Sequence, residues 1–341
     1  MEKGLDDTLY GNRDKRGYWT PKRLITRAPV FVWPVQPIKF LRYMFGSPGY
    51  IWPRNAAFLV LTFFTIRYLT PSLETMRNFS VGWISLILLR NAVLELLICG
   101  GLHFMLYIRR RQQTAFKYNA RWPEADNSSF LFGSQTAENV FWTMCSGVPV
   151  WTAYEAVIWW MYANGYIARV DFAQHPIYCV ALLLLVPLWE GIHFYVVHRL
   201  IHMGPLYHWI HKVHHNSFNP GPWSGLSMHT FEHLIYFSLV LIVAVVPSNP
   251  IHSMFMLMFF GLHPAIGHLG FHAVATRDGE FIDNDIYFHY LHHKYFEVNY
   301  GGELHGLDWL FGTAHDGSPE AEEAMYKRMK AKKYVRGSSQ G

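Results

Sequence analysis

Four short runs of histidine constrain this chain more than any other feature of its sequence. They are HRLIH, HKVHH, HLGFH and HYLHH, at residues 198–202, 211–215, 268–272 and 289–293, and they hold ten of the chain's 20 histidines. Residues three and four apart share one face of a helix. Each run, formed as a helix, therefore presents two or three imidazoles together, and bundled helices could present all ten to one cavity.

Histidine at this density indicates metal binding. Neutral imidazole is the commonest metal ligand in proteins and suits Fe, Zn, Cu and Ni. Ten imidazoles exceed what one ion can use, so the pattern predicts two ions with about five nitrogens each. A single HxxxH run often arises by chance, whereas two HxxHH runs, each preceded by an HxxxH run, are specific. Isolated histidines such as His103, His175 and His252 are expected to be packed or hydrogen-bonded.

The composition is typical of a membrane protein. Hydrophobic residues make up 51% of the sequence and charged residues 16%, against roughly 25% charged residues in a soluble domain. Several apolar stretches approach or exceed the ~20 residues that span a bilayer as a helix. These stretches are 56–68, 81–108, 140–166, 176–197, and 234–246 followed by 251–262. The expected fold is an all-α integral membrane protein.

Lysine and arginine set the expected orientation, because they favour the cytoplasmic side of a membrane. They are concentrated at residues 13–27, 109–111 and 327–336. All three segments lie inside if hairpins at 56–108 and 140–197 each cross twice. The stretch 234–262 is too short for two comfortable crossings and is predicted to be a shallow re-entrant hairpin. We therefore expect about four transmembrane helices, with all four histidine runs in a helical cap at the cytoplasmic face.

Metal-bound histidines usually need acceptors that fix the orientation of the ring. Glu190, Glu232 and Asp308 are candidates, as are Asp283 and Asp285, for which helix capping is an equally good interpretation. Glu190 lies within an apolar run, where an unpaired carboxylate costs several kcal/mol. It is therefore expected to have a partner in the site.

The histidine runs belong to a longer ordered pattern. They are followed by Asn299-Tyr300-Gly301, by Asp308 and by Phe311-Gly312-Thr313. In this order the motifs resemble the fatty acid hydroxylase/sterol desaturase superfamily of membrane di-iron oxygenases, over residues 142–313. The stretch 221–229 looks most like bacterial members described as sterol desaturase-like. The resemblance implies a cytosolic, histidine-caged pair of iron ions, with oxygen as co-substrate and electrons from a separate carrier.

The resemblance also implies roles for individual residues. Carried over to this chain, the metal ligands are His198, His202, His211, His214, His215, His268, His272, His289, His292 and His293. His229 and Glu232 stand where many relatives read HPxE, with threonine in place of the proline. Together with Glu190 and Asp308 they are the predicted catalytic or supporting residues. His272 is not kept in every branch of the family.

Four regions follow from these assignments. They are an amino-terminal cytosolic or interfacial segment (1–54), a first transmembrane hairpin and cytosolic loop (55–139), a catalytic domain similar to fatty acid hydroxylases and sterol desaturases (140–316), and a charged carboxyl-terminal helix with a flexible tail (317–341).

The predicted function is oxygen-dependent hydroxylation or desaturation of an unactivated C–H position in a lipid-like substrate, such as a sterol or a fatty acyl chain. Both reactions share the first hydrogen abstraction, so the sequence does not separate them. The expected cofactors are two iron ions, with zinc as a substitute that overexpressed protein can load. The sequence contains no nicotinamide, flavin, haem or iron–sulfur motif. We therefore expect external electrons from a ferredoxin or b-type cytochrome and its reductase.

Two other functions also use many histidines. A metal transporter would need polar residues through its spans, whereas these runs lie at span ends. A zinc or haem membrane protein needs fewer ligands than ten, and the HExxH motif of zinc hydrolases is absent from the sequence. The net charge of +5 is small and the basic runs flank apolar stretches. Lipid headgroups are thus favoured over nucleic acid as partners.

Overall fold

The structure is a computed structural model, and it describes residues 6–276, 281–284, 286–302 and 306–338. Most of these residues are helical. The main helices are α1 (Pro37–Phe45), α2 (Arg54–Leu69), α3 (Val81–Ile108), α4 (Gln135–Trp142), α5 (Val148–Ala163), α6 (Pro176–Ile201), α7 (Lys212–His215), α8 (Thr230–Phe237), α9 (Pro250–Gly267), α10 (Tyr287–Tyr295), α11 (Gly306–Leu310) and α12 (Pro319–Ser338). Short π-helical turns interrupt α3, join α4 to α5 and precede α7. The prediction of a mainly helical chain is confirmed.

Two short antiparallel hairpins accompany the helices in the described residues. The strand β1 (Gly11–Arg13) pairs with β2 (Trp19–Pro21), and β3 (Ala273–Ala275) pairs with β4 (Phe281–Asp283). The β3–β4 hairpin connects the third histidine run to α10. The expectation of an all-α fold missed both hairpins, because strands of three residues are too short to show an alternating pattern.

Two of the described helices are long and apolar enough to cross a membrane. α3 has 28 residues and α6 has 26, against the ~20 that span a bilayer. Both helices expose large apolar side chains, including Leu89 and Leu97 on α3 and Leu185 and Val196 on α6. Exposed apolar surface of this kind marks contact with lipid or with a partner. Each of the two predicted hairpins thus contains one candidate span, in agreement with a membrane protein.

The helix α9 forms the centre of the largest core. It packs against α2, α5 and α6, and its residues from Met254 to Leu262 are all buried. A helix that is apolar on every side is typically buried on every side. Close packing depends on Gly261, where a Cβ atom would lie 2.7 Å from the Trp151 ring. This core fixes the end of α9, where His268 lies.

A second core joins the amino-terminal segment to the last histidine helix. Trp19, Phe116 and Tyr118 pack in one buried cluster with Phe271 and with residues of α10 such as Tyr290. The rings of Tyr118 and Tyr290 are stacked with their centroids 4.7 Å apart. These aromatic contacts hold α10 in place beside the site.

Between α3 and α5, four polar side chains form a buried cluster. Arg90 is ion-paired with Glu155, and the Asn91 amide donates hydrogen bonds to Glu155 and to Thr152. Buried charges among apolar helices are costly unless they are paired. Here the two charges neutralise each other, and the cluster fixes α3 against α5.

Candidate metal centre

The histidine runs lie at helix ends and on short helices, largely as their spacing predicts. HRLIH ends α6, which stops at Ile201 before Gly204 and Pro205. HKVHH covers a π-helical turn and α7, and HYLHH lies within α10. In these three runs the helical spacing places imidazoles side by side.

Nine of the ten histidines converge in two groups. The first histidine group consists of His198, His202, His211, His215 and His292, and the second histidine group consists of His214, His268, His289 and His293. Within each group, one candidate ligand nitrogen from every residue lies within 4.8 Å of the others, and every residue is buried or half-buried. Both groups combine segments that are far apart in sequence, so the tertiary fold assembles them.

Each HxxHH run supplies both groups. In the run at 211–215, the first and last histidines belong to the first group and His214 belongs to the second. In the run at 289–293, the first and last belong to the second group and His292 belongs to the first. Residues four apart share a helix face, whereas consecutive residues point about 100° apart. A short helix that lies between the two groups can therefore serve both.

Hydrogen bonds at Nδ1 fix the tautomer of three of these rings. Nδ1 of His198 lies 2.7 Å from the carbonyl oxygen of Tyr300, and Nδ1 of His292 lies 2.7 Å from that of Val298. His268 makes the same contact, at 3.0 Å, with a carbonyl four residues earlier. A carbonyl oxygen only accepts, so Nδ1 carries the proton in each pair. The Nε2 atom of the neutral ring is then left with a lone pair.

Two of these rings lie close together. His198 and His292 belong to the same group, their ring centroids are 4.3 Å apart, and both rings have Nδ1 committed to a carbonyl. Two unprotonated Nε2 atoms at close range repel each other unless a cation lies between them. The donor set therefore fits metal ions better than it fits a hydrogen-bonded core.

The spacing of the nitrogens also fits coordination. Nε2–Nε2 distances are 2.9 to 3.2 Å in the first group and 2.8 to 3.2 Å in the second. Two nitrogens that bind one first-row ion at about 2.1 Å, about 90° apart, lie about 3.0 Å from each other. The two groups are thus of the right size to hold one ion each.

Burial keeps these imidazoles neutral. Loss of solvation, reinforced by the neighbouring His198, lowers the pKa of His202 to about 2 and that of His268 to about 4. For the same reason the pKa values are lowered well below the usual range at His211, His214, His215, His289, His292 and His293. A metal binds the neutral form of imidazole, so these side chains are in the metal-binding form at neutral pH.

These shifts predict acid lability for the metal-free protein. Unfolded histidines have a pKa of about 6.5, so below about pH 6.5 the unfolded state binds more protons than the folded one and the folded state loses stability. For His268 the loss continues down to its folded pKa of about 4, at up to about 1.4 kcal/mol per pH unit. Chelator-treated protein should unfold at a lower temperature at about pH 5.5 than at about pH 7.5 in a thermal denaturation experiment. Equal unfolding temperatures would contradict this expectation.

Two of the predicted acidic residues support the ligands. Oε1 of Glu232 lies 2.7 Å from Nδ1 of His211. Asp308 acts one step further away, because it accepts a hydrogen bond of 2.9 Å from the backbone N–H of Tyr300 and so holds the carbonyl group that His198 contacts. Glu232 is thus a direct partner of the candidate ligand His211, and Asp308 an indirect partner of the candidate ligand His198.

Glu190 and His229 have different surroundings. Neither carboxyl oxygen of Glu190 has a hydrogen-bond partner among the residues that the structure describes, although the side chain is buried. His229 caps α8 by accepting a hydrogen bond of 3.3 Å from the backbone N–H of Phe231. It thereby supports the helix that carries Glu232. Asp285 lies outside the described residues.

His272 lies outside both groups, so nine histidines converge and not the expected ten. Its Nδ1 is 3.1 Å from the Tyr118 hydroxyl and its Nε2 is 3.6 Å from Oδ1 of Asp283. The reason is local. α9 ends at Gly267 and Gly270 has a left-handed φ of 76°, so the third run is not helical and its two histidines do not share a face.

The loop after α10 supplies contacts that the sequence alone did not reveal. The carbonyl groups of Val298 and Tyr300 contact His292 and His198, and Asn299 between them has a left-handed φ of 56°. The Asn299 amide donates hydrogen bonds to the carbonyls of Phe288 and His315. The motif at 299–301 was the available signal, but a backbone carbonyl has no side-chain signature of its own.

A cavity of about 870 Å³ adjoins both histidine groups. It is lined by five of the grouped histidines (His198, His211, His214, His268 and His289), by apolar residues that include Phe194, Met228, Phe259 and Phe260, and by Glu190. This volume is within the ~300–1,000 Å³ of sites for small molecules. The site can therefore bring a mainly apolar molecule next to both groups.

Comparison with known proteins gives a family match in the same region. Residues 182–313 match the family Fatty acid hydroxylase. This confirms the predicted resemblance to the fatty acid hydroxylase/sterol desaturase superfamily. The match covers α6 from residue 182 onward and all of α7, α9 and α10, and so includes all four histidine runs. No solved structure matches the chain.

Similar proteins come from several kingdoms. A Delta(7)-sterol-C5(6)-desaturase of Nicotiana tabacum is 27% identical over 52% of this chain and 65% of its own length. Fatty acid hydroxylase domain-containing protein 2 of Homo sapiens is 32% identical over 36% of this chain and 37% of its own length. A sphingolipid C4-hydroxylase of Saccharomyces cerevisiae is 25% identical over 58% and 54%. The chain thus spans less than two thirds of each of these relatives, which are lipid desaturases or hydroxylases where their names state an activity.

Proposed function

Because residues 182–313 match the fatty acid hydroxylase family, we propose that this chain is a membrane-bound, oxygen-dependent oxidoreductase with two iron ions. It hydroxylates or desaturates an unactivated C–H position of a lipid-like substrate, such as a sterol or an acyl chain. The observation that carries the proposal is the convergence of nine buried or half-buried histidines in two groups beside a largely apolar cavity.

The two histidine groups are the proposed ligands, with five nitrogens for one ion and four for the other. A bound pair of redox-active ions with open positions would supply the reductive activation of dioxygen that attack on an unactivated C–H bond requires. The role of the chain is to hold the ligands and to position the substrate. The Nδ1 contacts of His198, His268 and His292 with carbonyl groups keep their Nε2 lone pairs directed inwards.

The cavity would position the substrate carbon and exclude water. Phe194 packs on His198 with ring centroids 4.9 Å apart and approaches His289 at 6.3 Å. It therefore borders both groups from one side of the cavity. An apolar wall at this place excludes water from the reacting carbon, as a reaction at a C–H bond requires. Hydroxylation and desaturation would begin at the same bound position.

We also propose four membrane crossings, with the site on the cytoplasmic face. α3 ends at Ile108, directly before Arg109–Arg111, and α6 ends with the first histidine run. If both ends face the cytoplasm, α5 has to cross once between them and α2 once before α3. The segment 234–262 stays on one side as a re-entrant hairpin, and residues 140–316 form the catalytic domain.

Metal content and lipid composition test this proposal together. Well-loaded protein should contain two metal ions per chain by elemental analysis, since two groups of ligands are present. Lipids of cells with and without the gene should differ by one oxygen or by two hydrogens in mass spectrometry. A single ion per chain would exclude the two-metal site, and zinc in overexpressed protein is accepted as a substitute because affinity follows availability.

A further inference from the structure

Glu190 is a buried carboxyl group without a protein partner in the described residues. It is 3% exposed, and neither of its oxygens accepts or donates a hydrogen bond there. Tyr50 and Tyr236 lie close enough to interact with it electrostatically. Both hydroxyl groups, however, donate to backbone carbonyls, those of Leu184 and Phe260. A carboxyl group in such a place is costly unless a donor reaches it.

A molecule bound in the cavity can supply a hydrogen-bond donor to Glu190. Glu190 lines it, and so do Gly191, Phe194 and His198 on the same helix. Residues 190, 194 and 198 follow one another at intervals of four and form a stripe on one face of α6. Gly191, the next residue, lines the cavity without a side chain. A molecule in the cavity would therefore touch Glu190 and the histidines together.

The charges around the cavity indicate which kind of hydrogen-bond donor would bind Glu190. The lining holds four basic residues, Arg23, Arg27, Lys39 and Arg54, against three acidic ones, Glu190, Glu232 and Asp283. The basic residues are in excess and repel a cationic amphiphile, which disfavours an ammonium group as the partner of Glu190. The rest of the lining is largely apolar. An uncharged hydroxyl group on a hydrophobic molecule satisfies both conditions.

We propose that Glu190 binds the hydroxyl group of a lipid alcohol and so selects the substrate of this site. The proposal rests on the proposed function and names its substrate class. Glu190 precedes His198 by eight residues, which is about 12 Å along a helix axis. The carbon that is oxidised should thus be on the order of 12 Å from the anchored hydroxyl, and not adjacent to it.

Binding of matched alcohol and ether pairs tests the proposal. The probes are hexadecanol with hexadecyl methyl ether, and cholesterol with cholesterol methyl ether, because each ether keeps the apolar body and loses the donor. Binding to the purified full chain in detergent is measured from the shift of the unfolding temperature with ligand concentration. Wild-type protein should prefer one alcohol over its ether by about tenfold, the usual worth of a buried hydrogen bond to a carboxyl group.

Substitutions assign the preference to Glu190. Glu190→Leu should remove the preference with little change in the affinity for the ether, and Glu190→Gln should keep part of it, because the amide oxygen still accepts. Glu95→Leu is the matched control. Glu95 is also a buried carboxyl group in a candidate span, but it bonds to Cys99 and does not line the cavity. Its replacement should leave the preference intact.

The outcomes separate this proposal from the proposed function. Equal affinity within both pairs, or no binding of either alcohol, would overturn the role of Glu190, and would mean that a water molecule alone satisfies it. A preference that survives Glu190→Leu would do the same. Should Glu190→Leu fail to fold, the wild-type comparison and Glu190→Gln still decide. If protein that holds a single ion still prefers the alcohol over its ether, the two-metal function is refuted and the alcohol site at Glu190 is supported.

Discussion

Alanine at His292 should abolish turnover and reduce the metal content by at least one ion per chain. His292 is fully buried and its Nε2 lies 3.1 Å from Nε2 of both His202 and His215. Loss of an indirect partner of a ligand typically lowers activity or metal affinity by about 10- to 100-fold, so removal of a ligand itself should lower activity more than about 100-fold. Elemental analysis and a turnover assay on the same preparation measure both effects. His214→Ala should act in the same way on the second group.

His272→Ala is the matched control for these variants. It removes a histidine from one of the four runs, but His272 contacts Tyr118 and Asp283 and lies outside both groups. It should therefore keep two ions per chain, with turnover close to that of the wild type. Full metal content and activity in His292→Ala would refute the ligand assignment. Loss of an ion in His272→Ala would restore the tenth ligand.

The helical spacing of the histidines predicted most of the candidate metal site. Three runs are helical, and in each of them the two histidines four apart fall in the same group. The division of each HxxHH run between two groups was not predictable, because it depends on how α7 and α10 are rotated against their neighbours. That rotation is set by contacts remote in sequence, such as those of Tyr118 with α10.

Where the structure differs from the expectations drawn from the sequence, the differences have physical reasons. HLGFH has the same spacing as HRLIH, but the backbone turns away after Gly267, where a left-handed glycine follows. Gly267 and Gly270 are each a candidate helix stop, but glycine also occurs inside helices, so the spacing alone did not show where α9 ends. Glu190 was expected to have a partner in the site, yet the described residues offer it none. Its place beside the cavity depends on the tertiary fold, which no local pattern encodes.

Turnover should require an external electron carrier, and its rate should fall as salt is added. Inserting one oxygen atom from dioxygen, or removing two hydrogens with reduction of dioxygen to water, consumes two electrons from outside the substrate. The exposed residues Arg109, Arg110 and Arg111 follow α3 directly. A basic surface of this kind would steer an acidic ferredoxin or b-type cytochrome. Activity should be absent with NADPH alone and appear when a reductase and carrier are added.

Charge reversal at this surface separates docking of the carrier from binding of lipid headgroups. Replacing Arg109, Arg110 and Arg111 together by glutamate should raise the KM for the carrier by about tenfold at low salt, with kcat at saturating carrier nearly unchanged. The difference from wild type should shrink at about 0.5 M salt, where the Debye length is well below about 8 Å. If the arginines only bind headgroups, the KM for the carrier will not change. Turnover with NADPH and the isolated chain would instead mean that the protein gathers its own electrons.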